Sequence, residues 1–421
     1  MQVFSLRKLI RENGKQRSQG RRVLKKIDRI SELECRYISE VLDNDFRSSC
    51  NYSKVTQLEK EFAEVFDSKY AIAMVNGTAT LHAALETAGI GVGDEVICPP
   101  LTMSSTSLAV LHAGATPVFA DVDPRTFLIT PETVEAVVTD KTKAVIPVSL
   151  YGLSTDIDGI MAVAKKHSLV VIEDDAQCFL GKYKGRVVGS TADMSSFSFQ
   201  ASKHMTAGEG GMVTTDNPDL ALKLRRYSGL GYGSIGLEKG RISKDDIQSP
   251  DFDRHETLGW NYRPSDLCGA VALAQLQRLE ELVEMRVLAA GHFMKAIEGT
   301  DWLVPQFVPA DYESSYWAFV MRLDTNRVDW QTFRKKFIEL GGHGVYGAWK
   351  LSYLEPAYLN GKFLGREKYL TRPVEELYHP GVCPVAEAVQ PQLLQMKTNY
   401  WDEAIAVEQA EILKQTIQSF E

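Results

Sequence analysis

The 421-residue sequence predicts an α/β fold with a largely parallel sheet. Three observations carry that prediction. Strand-like and helix-like segments alternate at regular spacing from Tyr70 to Val213, the pattern of strands joined by crossover helices. The strand segments are short apolar runs such as Tyr70–Val75 and Ala144–Pro147, as expected of a sheet buried on both faces. Small and acidic residues follow several of these runs, and open α/β sheets place their chemistry beyond the carboxyl ends of the strands.

Composition sets bounds. Hydrophobic residues are 44% and charged residues 24%, ordinary for a globular protein with a large core. A net charge of −8 argues against a nucleic-acid surface. No apolar run is long enough to cross a bilayer, and MQVFSLRKLIREN lacks an apolar signal core, so a cytoplasmic protein without membrane association is expected. The six cysteines show no CxxC spacing, which fits reduced thiols and no metal site.

The elements follow in order. Residues 1–30 are rich in Lys and Arg and read as a solvated extension, with an anion-binding arm as the alternative. From Ser31 to Phe66 apolar residues recur at helical spacing, giving two helices on either side of a polar break at 47–53. Strand Tyr70–Val75 ends in Asn76-Gly77-Thr78-Ala79-Thr80, and a helix is expected from Leu81. A strand, a small-residue turn and a helix N-terminus form an anion site, though neither a Walker loop nor a GxGxxG fingerprint is present. Strands at Glu95–Cys98, Thr116–Ala120, Ala144–Pro147 and Leu169–Ile172 alternate with helices at Thr106–His112, from Thr130-Pro131, and near Asp158–His167. The last strand runs into Glu173-Asp174-Asp175-Ala176-Gln177, where a carboxylate serves either a site or a helix N-cap.

The stretch FSFQASKHMTAGEGGMV, Phe197–Val213, holds a lone lysine on an apolar, glycine-flanked loop. Desolvation there would lower its pKa and supply the neutral amine of a Schiff base; a surface lysine beside a hairpin turn is the alternative. Helix Pro218–Arg226 follows, then a long glycine-rich and charged loop, 229–256, of the kind that is usually functional. One helix is expected from Ser265-Asp266 past Arg286, leading to a second α/β unit with strand Trp317–Arg322, helix Asp329–Leu340 and turn-rich Gly341–Gly347.

Seven motifs in this order, NGTATLHAAL, GVGDEVICPPLT, GATPVFADVDP, VIPVSLYG, VIEDDAQ, SFSFQASKHMTAGEGG and GWNYRPSDLCGAVALAQL, resemble the DegT/DnrJ/EryC1/StrS group of aminotransferases. The resemblance runs from about Leu58 to Arg286. It implies fold type I, with a large domain at 53–286 after an N-terminal arm and helix at 1–52, and a smaller α/β domain at 287–421. It also implies pyridoxal 5′-phosphate as cofactor. By position, Lys203 matches the lysine that carries the cofactor and moves the proton, and Asp174 the carboxylate paired with the ring nitrogen. Ala176 would pack on a ring face, Gln177 lie near the ring hydroxyl, and Gly77, Thr78 and Ser198 cup the phosphate. Asn261 matches a residue that reaches the phosphate from the neighbouring subunit, so a homodimer with shared sites is implied.

Two positions depart from the family pattern. Met103 stands where an aromatic usually covers the ring, and YGAWKLSYLEP replaces a Pro-Leu-His segment, which makes Trp349 and Lys350 the substrate candidates. A lysine at 203, where sugar 3-dehydrases carry histidine, points to transamination. The expected reaction moves an amino group from glutamate or glutamine to a keto sugar, foremost a nucleotide-linked keto-deoxy sugar. A keto-cyclitol, an octulosonate-type acid or an aminohydroxybenzoate-type product are alternatives in the same class. A non-catalytic cofactor-binding regulator is the alternative from another class.

Overall fold

The computed structural model describes residues 24–46, 53–233, 235–237, 245 and 248–421. The basic stretch up to residue 23, the break at 47–52 and parts of the 229–256 loop lie outside the described residues.

Two helices, α1 (Glu32–Asp43) and α2 (Lys54–Val65), precede the first sheet. The chain then runs β1 (Tyr70–Met74), α3 (Gly77–Thr87), β2 (Glu95–Cys98), α4 (Ser105–His112), β3 (Thr116–Phe119), α5 (Pro131–Glu135), β4 (Thr142–Val145), α6 (Ile157–His167) and β5 (Val170–Asp174). A short hairpin, β6 (Lys182–Tyr183) and β7 (Arg186–Val187), leads to β8 (Met194–Ser198), β9 (Gly211–Thr215) and α7 (Pro218–Ser228). The seven-stranded sheet has the order β1-β9-β8-β5-β4-β2-β3. All neighbours from β8 to β3 are parallel, and only β9 runs against its two partners. Strands β2, β3, β8 and β9 are buried at every position, as a sheet covered on both faces requires.

Local signals explain the helix starts. Ser31 and Thr130 cap α1 and α5 with reciprocal capping boxes, and Asp156 caps α6. Helix α3 begins at Gly77 rather than at Leu81, because the Asn76 side chain already accepts from the Ala79 N–H at 2.8 Å. The small-residue turn expected there is the first turn of the helix itself.

Helices α8 (Asp266–Gln277) and α9 (Leu279–Ala296) replace the single helix expected past Arg286. They break at Arg278, whose φ of −114° and ψ of 9° are not helical. The Arg278 guanidinium there reaches the Arg29 carbonyl and Glu34, fastening the segment before α1 to the break. Beyond α9 lie β10 (Leu303–Pro305), β11 (Tyr312–Glu313), β12 (Ala318–Leu323), α10 (Trp330–Glu339) and β13 (Val345–Gly347). Three short helices follow, α11 (Pro356–Leu359), α12 (Val374–Leu377) and α13 (Pro384–Val389), then β14 (Leu393–Lys397) and α14 (Glu403–Gln418). A second, antiparallel sheet has the order β10-β12-β14-β13. Strand β13 falls where only turns were expected; the glycines around it mask a three-residue edge strand that pairs with β14.

Packing joins the two sheets. Ile72, Val96, Val145, Ile172 and Val213 centre the core of the large sheet, and Leu351, Tyr353, Tyr358, Tyr378 and Val389 from the late segment pack into it. The small sheet has its own core of Phe319, Met321, Phe333, Phe337, Leu394 and Met396. Helix α9 serves two cores: Leu279 and Val283 pack with Phe62 and Phe197, whereas Ala289 and Phe293 pack under the small sheet. Among the described residues no helix is long and apolar enough to cross a membrane.

Candidate active site

A cavity of about 520 Å³ opens at the carboxyl ends of β5 and β8 and at the N-terminus of α3. Its lining includes Gly77, Thr78, Met103, Asp174, Ala176, Gln177, Ser198, Lys203 and Trp349, which were singled out from the sequence. Position follows from topology: parallel strands deliver their last residues to one edge, and the crossover turns deliver the rest.

Asp174 is the last residue of β5 and is 5% exposed. No helix follows it, so it caps none. Its Oδ2 accepts from the Thr106 hydroxyl at 2.8 Å and its Oδ1 from the Ala176 N–H at 3.3 Å. Burial pushes its pKa up, while these two donors and the charge of Lys203 pull it back down. Glu173 and Asp175 project from the other face of the strand, as alternation dictates. Both are buried, with Asp175 accepting from Ser149 at 2.6 Å.

Lys203 sits on the turn after β8 and is 8% exposed. Its N–H donates to the Gln200 carbonyl at 2.9 Å. Gly208 and Gly210, with φ of 80° and 154°, return the chain to β9 through backbone that only glycine adopts easily. The ammonium lies 5.0 Å from the centre of the Trp317 ring. Burial pushes its pKa from 10.5 down to about 8, Asp174 opposes that shift, and Arg286 adds to it. A neutral amine is therefore accessible near physiological pH.

The helix α3 end supplies anion donors. The N–H groups of Gly77 and Thr78 lie in the first turn, where no intrahelical carbonyl reaches them. A Cβ at Gly77 would stand 2.8 Å from Cβ of Ser198, so only glycine lets the two elements approach this closely. Gln177 accepts from the Tyr151 N–H at 3.0 Å through Oε1, which leaves its amide N–H₂ for a ligand.

Two predicted residues stand apart from the cavity. Asn261 is exposed and pairs its backbone with Gly229 beyond the end of β1. Lys350 is exposed and does not line the cavity, because the chain turns inward there to bury Leu351 and Tyr353 in the large core. Sequence reasoning missed Asn76, Thr106, Gln200, Glu209 and Trp317. The Asn76 cap was legible as an Asn before a helix, and Trp317 was read only as the start of a strand. Met103 lies on the rim at 47% exposure, and Trp349 at 41%, with its ring 6.3 Å from that of Trp317.

Comparison with known proteins identifies the family. The DegT/DnrJ/EryC1/StrS aminotransferase family model matches residues 28–380. The chain is 40% identical over 298 residues to the spore coat polysaccharide biosynthesis protein SpsC of Bacillus subtilis, covering 71% of this chain and 75% of that one. It is 38% identical over 288 residues to GDP-perosamine synthase of Caulobacter vibrioides, covering 68% and 73%. The crystal structure of an aminotransferase from Psychrobacter cryohalolentis superposes with a TM-score of 0.80 at 32% identity, covering 93% of this chain and 96% of that one. The chain belongs to the DegT/DnrJ/EryC1/StrS aminotransferase family and is a transaminase dependent on pyridoxal 5′-phosphate.

Proposed function

We propose that Lys203 carries the cofactor and that Asp174 faces its ring nitrogen. The donor set fits such a group: a buried amine, a buried carboxylate and a helix N-terminus border one cavity. When bound, pyridoxal phosphate supplies a conjugated ring that accepts electrons as a carbon–hydrogen bond next to nitrogen is broken. The protein residues do the rest. Asp174, whose ionised form Thr106 and the Ala176 N–H favour against the cost of burial, would hold a proton on the ring nitrogen. Gly77, Thr78 and Ser198 would hold the phosphate, Ala176 and Met103 would flank the ring, and Gln177 would donate to the ring hydroxyl. The Lys203 amine takes and returns the substrate proton. Asn261 completes the phosphate cup of the partner in a homodimer with shared sites, and the protein works in the cytoplasm.

The substrate reading is a transfer of the amino group of glutamate or glutamine to a nucleotide-linked keto-deoxy sugar. The observation that carries it is the 38% identity to a GDP-perosamine synthase over 68% of this chain. Trp317 and Trp349 add apolar ring faces at the cavity mouth beside the polar Gln200, Ser202 and Glu209, a mixture suited to a sugar with CH and OH groups. The test starts from the pyridoxamine form of the protein and adds candidate keto compounds. Return of the yellow colour with a nucleotide-linked 4-keto-6-deoxy sugar supports the reading. Return only with a keto-cyclitol or a free keto acid overturns it.

A further inference from the structure

Behind the cavity, the Lys203 turn is held by two arginines from distant parts of the chain. Arg286 of α9 is buried, at 1% exposure. Its Nη2 donates to the Ser202 carbonyl at 2.8 Å and to the Lys203 carbonyl at 2.9 Å. Its Nη1 donates to the Trp317 carbonyl at 2.9 Å and to Thr398 Oγ1 at 3.3 Å. Arg29, from the segment before α1, donates to the Ala201 carbonyl and approaches the Lys203 carbonyl at 3.5 Å. Both guanidinium groups face the ring of Trp401, at 5.3 Å for Arg29 and 5.8 Å for Arg286. Among the described residues no carboxylate pairs with Arg286.

A buried guanidinium without a counter-ion is costly, and a fold that needed only packing at this place would fill it with an apolar side chain. Here the planar fork is matched to carbonyls on both sides of a junction. Ser202 and Lys203 belong to the turn after β8, whereas Trp317 and Thr398 border β12 and β14 of the small sheet. The Trp317 indole closes the same junction, donating to the Ser202 carbonyl at 3.1 Å while its ring lies beside the Lys203 ammonium.

We propose that Arg286 is the positioning residue of Lys203, assisted by Arg29: the clamp fixes the 201–203 turn against the small sheet and sets one positive charge behind the reactive nitrogen. This rests on the assignment of Lys203 as the cofactor-bearing lysine. The charged and titratable groups around that nitrogen are few. Asp174 from β5 and Arg286 from α9 act on it by charge, Glu209 lines the cavity, and Arg29 of the N-terminal segment reaches the Lys203 carbonyl. The adjacent His204, held neutral by burial, donates its Nε2–H to the Ser315 carbonyl at 3.0 Å and adds no charge.

The test uses full-length holoenzyme and its visible spectrum as a function of pH. Arg286→Gln is expected to raise the pH midpoint of the yellow band by about one unit, since removing a nearby cation favours the protonated nitrogen. It is also expected to lower kcat by about tenfold or more while KM for the amino donor stays within a few-fold, the pattern of a misaligned reacting group. Arg286→Lys should restore the midpoint but not kcat, because an ammonium keeps the charge and loses the fork. If Arg286→Gln does not fold, Arg29→Ala, which frees the Ala201 and Lys203 carbonyls, should lower kcat several-fold with KM for the amino donor unchanged. A folded variant with the wild-type midpoint and kcat overturns the clamp. A wild-type protein that never turns yellow with the cofactor overturns the Lys203 assignment instead, so the two failures are distinct.

Discussion

Thr106 donates its hydroxyl hydrogen to Oδ2 of Asp174 at 2.8 Å. The same hydroxyl lies 3.2 Å from the Met103 carbonyl, but it has one hydrogen, and the charged acceptor is nearer. Thr106 stands in the first turn of α4, so the helix end adds to the preference for an ionised carboxylate. A hydrogen bond to a charged group is worth roughly 1.5–3 kcal/mol, so Thr106→Val should lower kcat by about 10- to 100-fold. Thr106→Ser should stay near wild type, because it keeps the donor. Equal activity of the valine and serine variants would remove the role assigned to this bond.

Asp174, the last residue of β5, and Asp175, just beyond it, carry different loads. Asp174→Asn is expected to lower the rate by about two orders of magnitude or more with the fold intact. Asp175→Asn, on the opposite face, should leave kcat within a few-fold. Mild loss at 174 with severe loss at 175 would reverse the assignment.

The opposite-face pair has a pH signature in stability. Burial pushes Glu173 from 4.5 up to about 7, and burial with the charge of Glu173 pushes Asp175 up as well. Below pH 4.5 the Glu173 carboxyl is protonated in both folded and unfolded chains and carries no charge to bury. Between pH 4.5 and about 7 the unfolded chain releases the proton first, so stability falls as pH rises through that window. Glu173→Gln has no such proton to lose. Its urea midpoint should therefore decline less than that of wild type between those two pH values; parallel declines would contradict the account.

Gly77 tests the phosphate cup. Alanine there would bring its Cβ to 2.8 Å from Cβ of Ser198, at a contact between two rigid elements. Relief requires α3 to move away from β8, which separates the Gly77 and Thr78 N–H groups from the Ser198 hydroxyl. Gly77→Ala should weaken cofactor retention by about tenfold or more, measured by dialysis against cofactor-free buffer. Gly77→Ala combined with Ser198→Gly should recover the geometry but not the hydroxyl. Unchanged retention in the single variant would place the phosphate elsewhere.

The shared site has its own test. Asn261 is exposed in the single chain and does not line its own cavity, so any role it has in the cup is played across an interface. Asn261→Ala should lose cofactor affinity by about one to two decades, as one hydrogen bond to a charged group would. Mixing Asn261→Ala chains with Lys203→Ala chains should restore partial activity, because each mixed dimer holds one complete site. No recovery on mixing, or a fully active monomer, would exclude the arrangement.

Much of this was legible in the sequence for physical reasons. The strand-helix alternation placed β2 residue for residue and β5 within two, because apolar runs bounded by turn signals leave little choice. Asp174 and Lys203 each had a bland alternative on local chemistry, a helix N-cap and a surface lysine, and the ordered family motifs singled them out; both line the cavity. What escaped depends on distant contacts. Trp317 looked like an ordinary strand residue, and nothing local says that its ring meets Lys203, more than a hundred positions earlier. Arg286 looked like one charged residue within a long helix, yet it is buried against carbonyls from two separate segments and the Thr398 hydroxyl from a third. Helix α3 was placed four residues late because Gly and Thr have low helix propensity, and the Asn76 cap outweighs it.

The central claim is that Lys203 holds the cofactor, and borohydride reduction tests it most directly. The reduced holoenzyme is digested and its peptides are weighed. The account predicts a single phosphopyridoxyl group on Lys203, absent from Lys203→Ala, whose steady-state transamination should also be abolished while its fold is kept. A phosphopyridoxyl group on any other lysine, or near-wild-type turnover by Lys203→Ala, would contradict it.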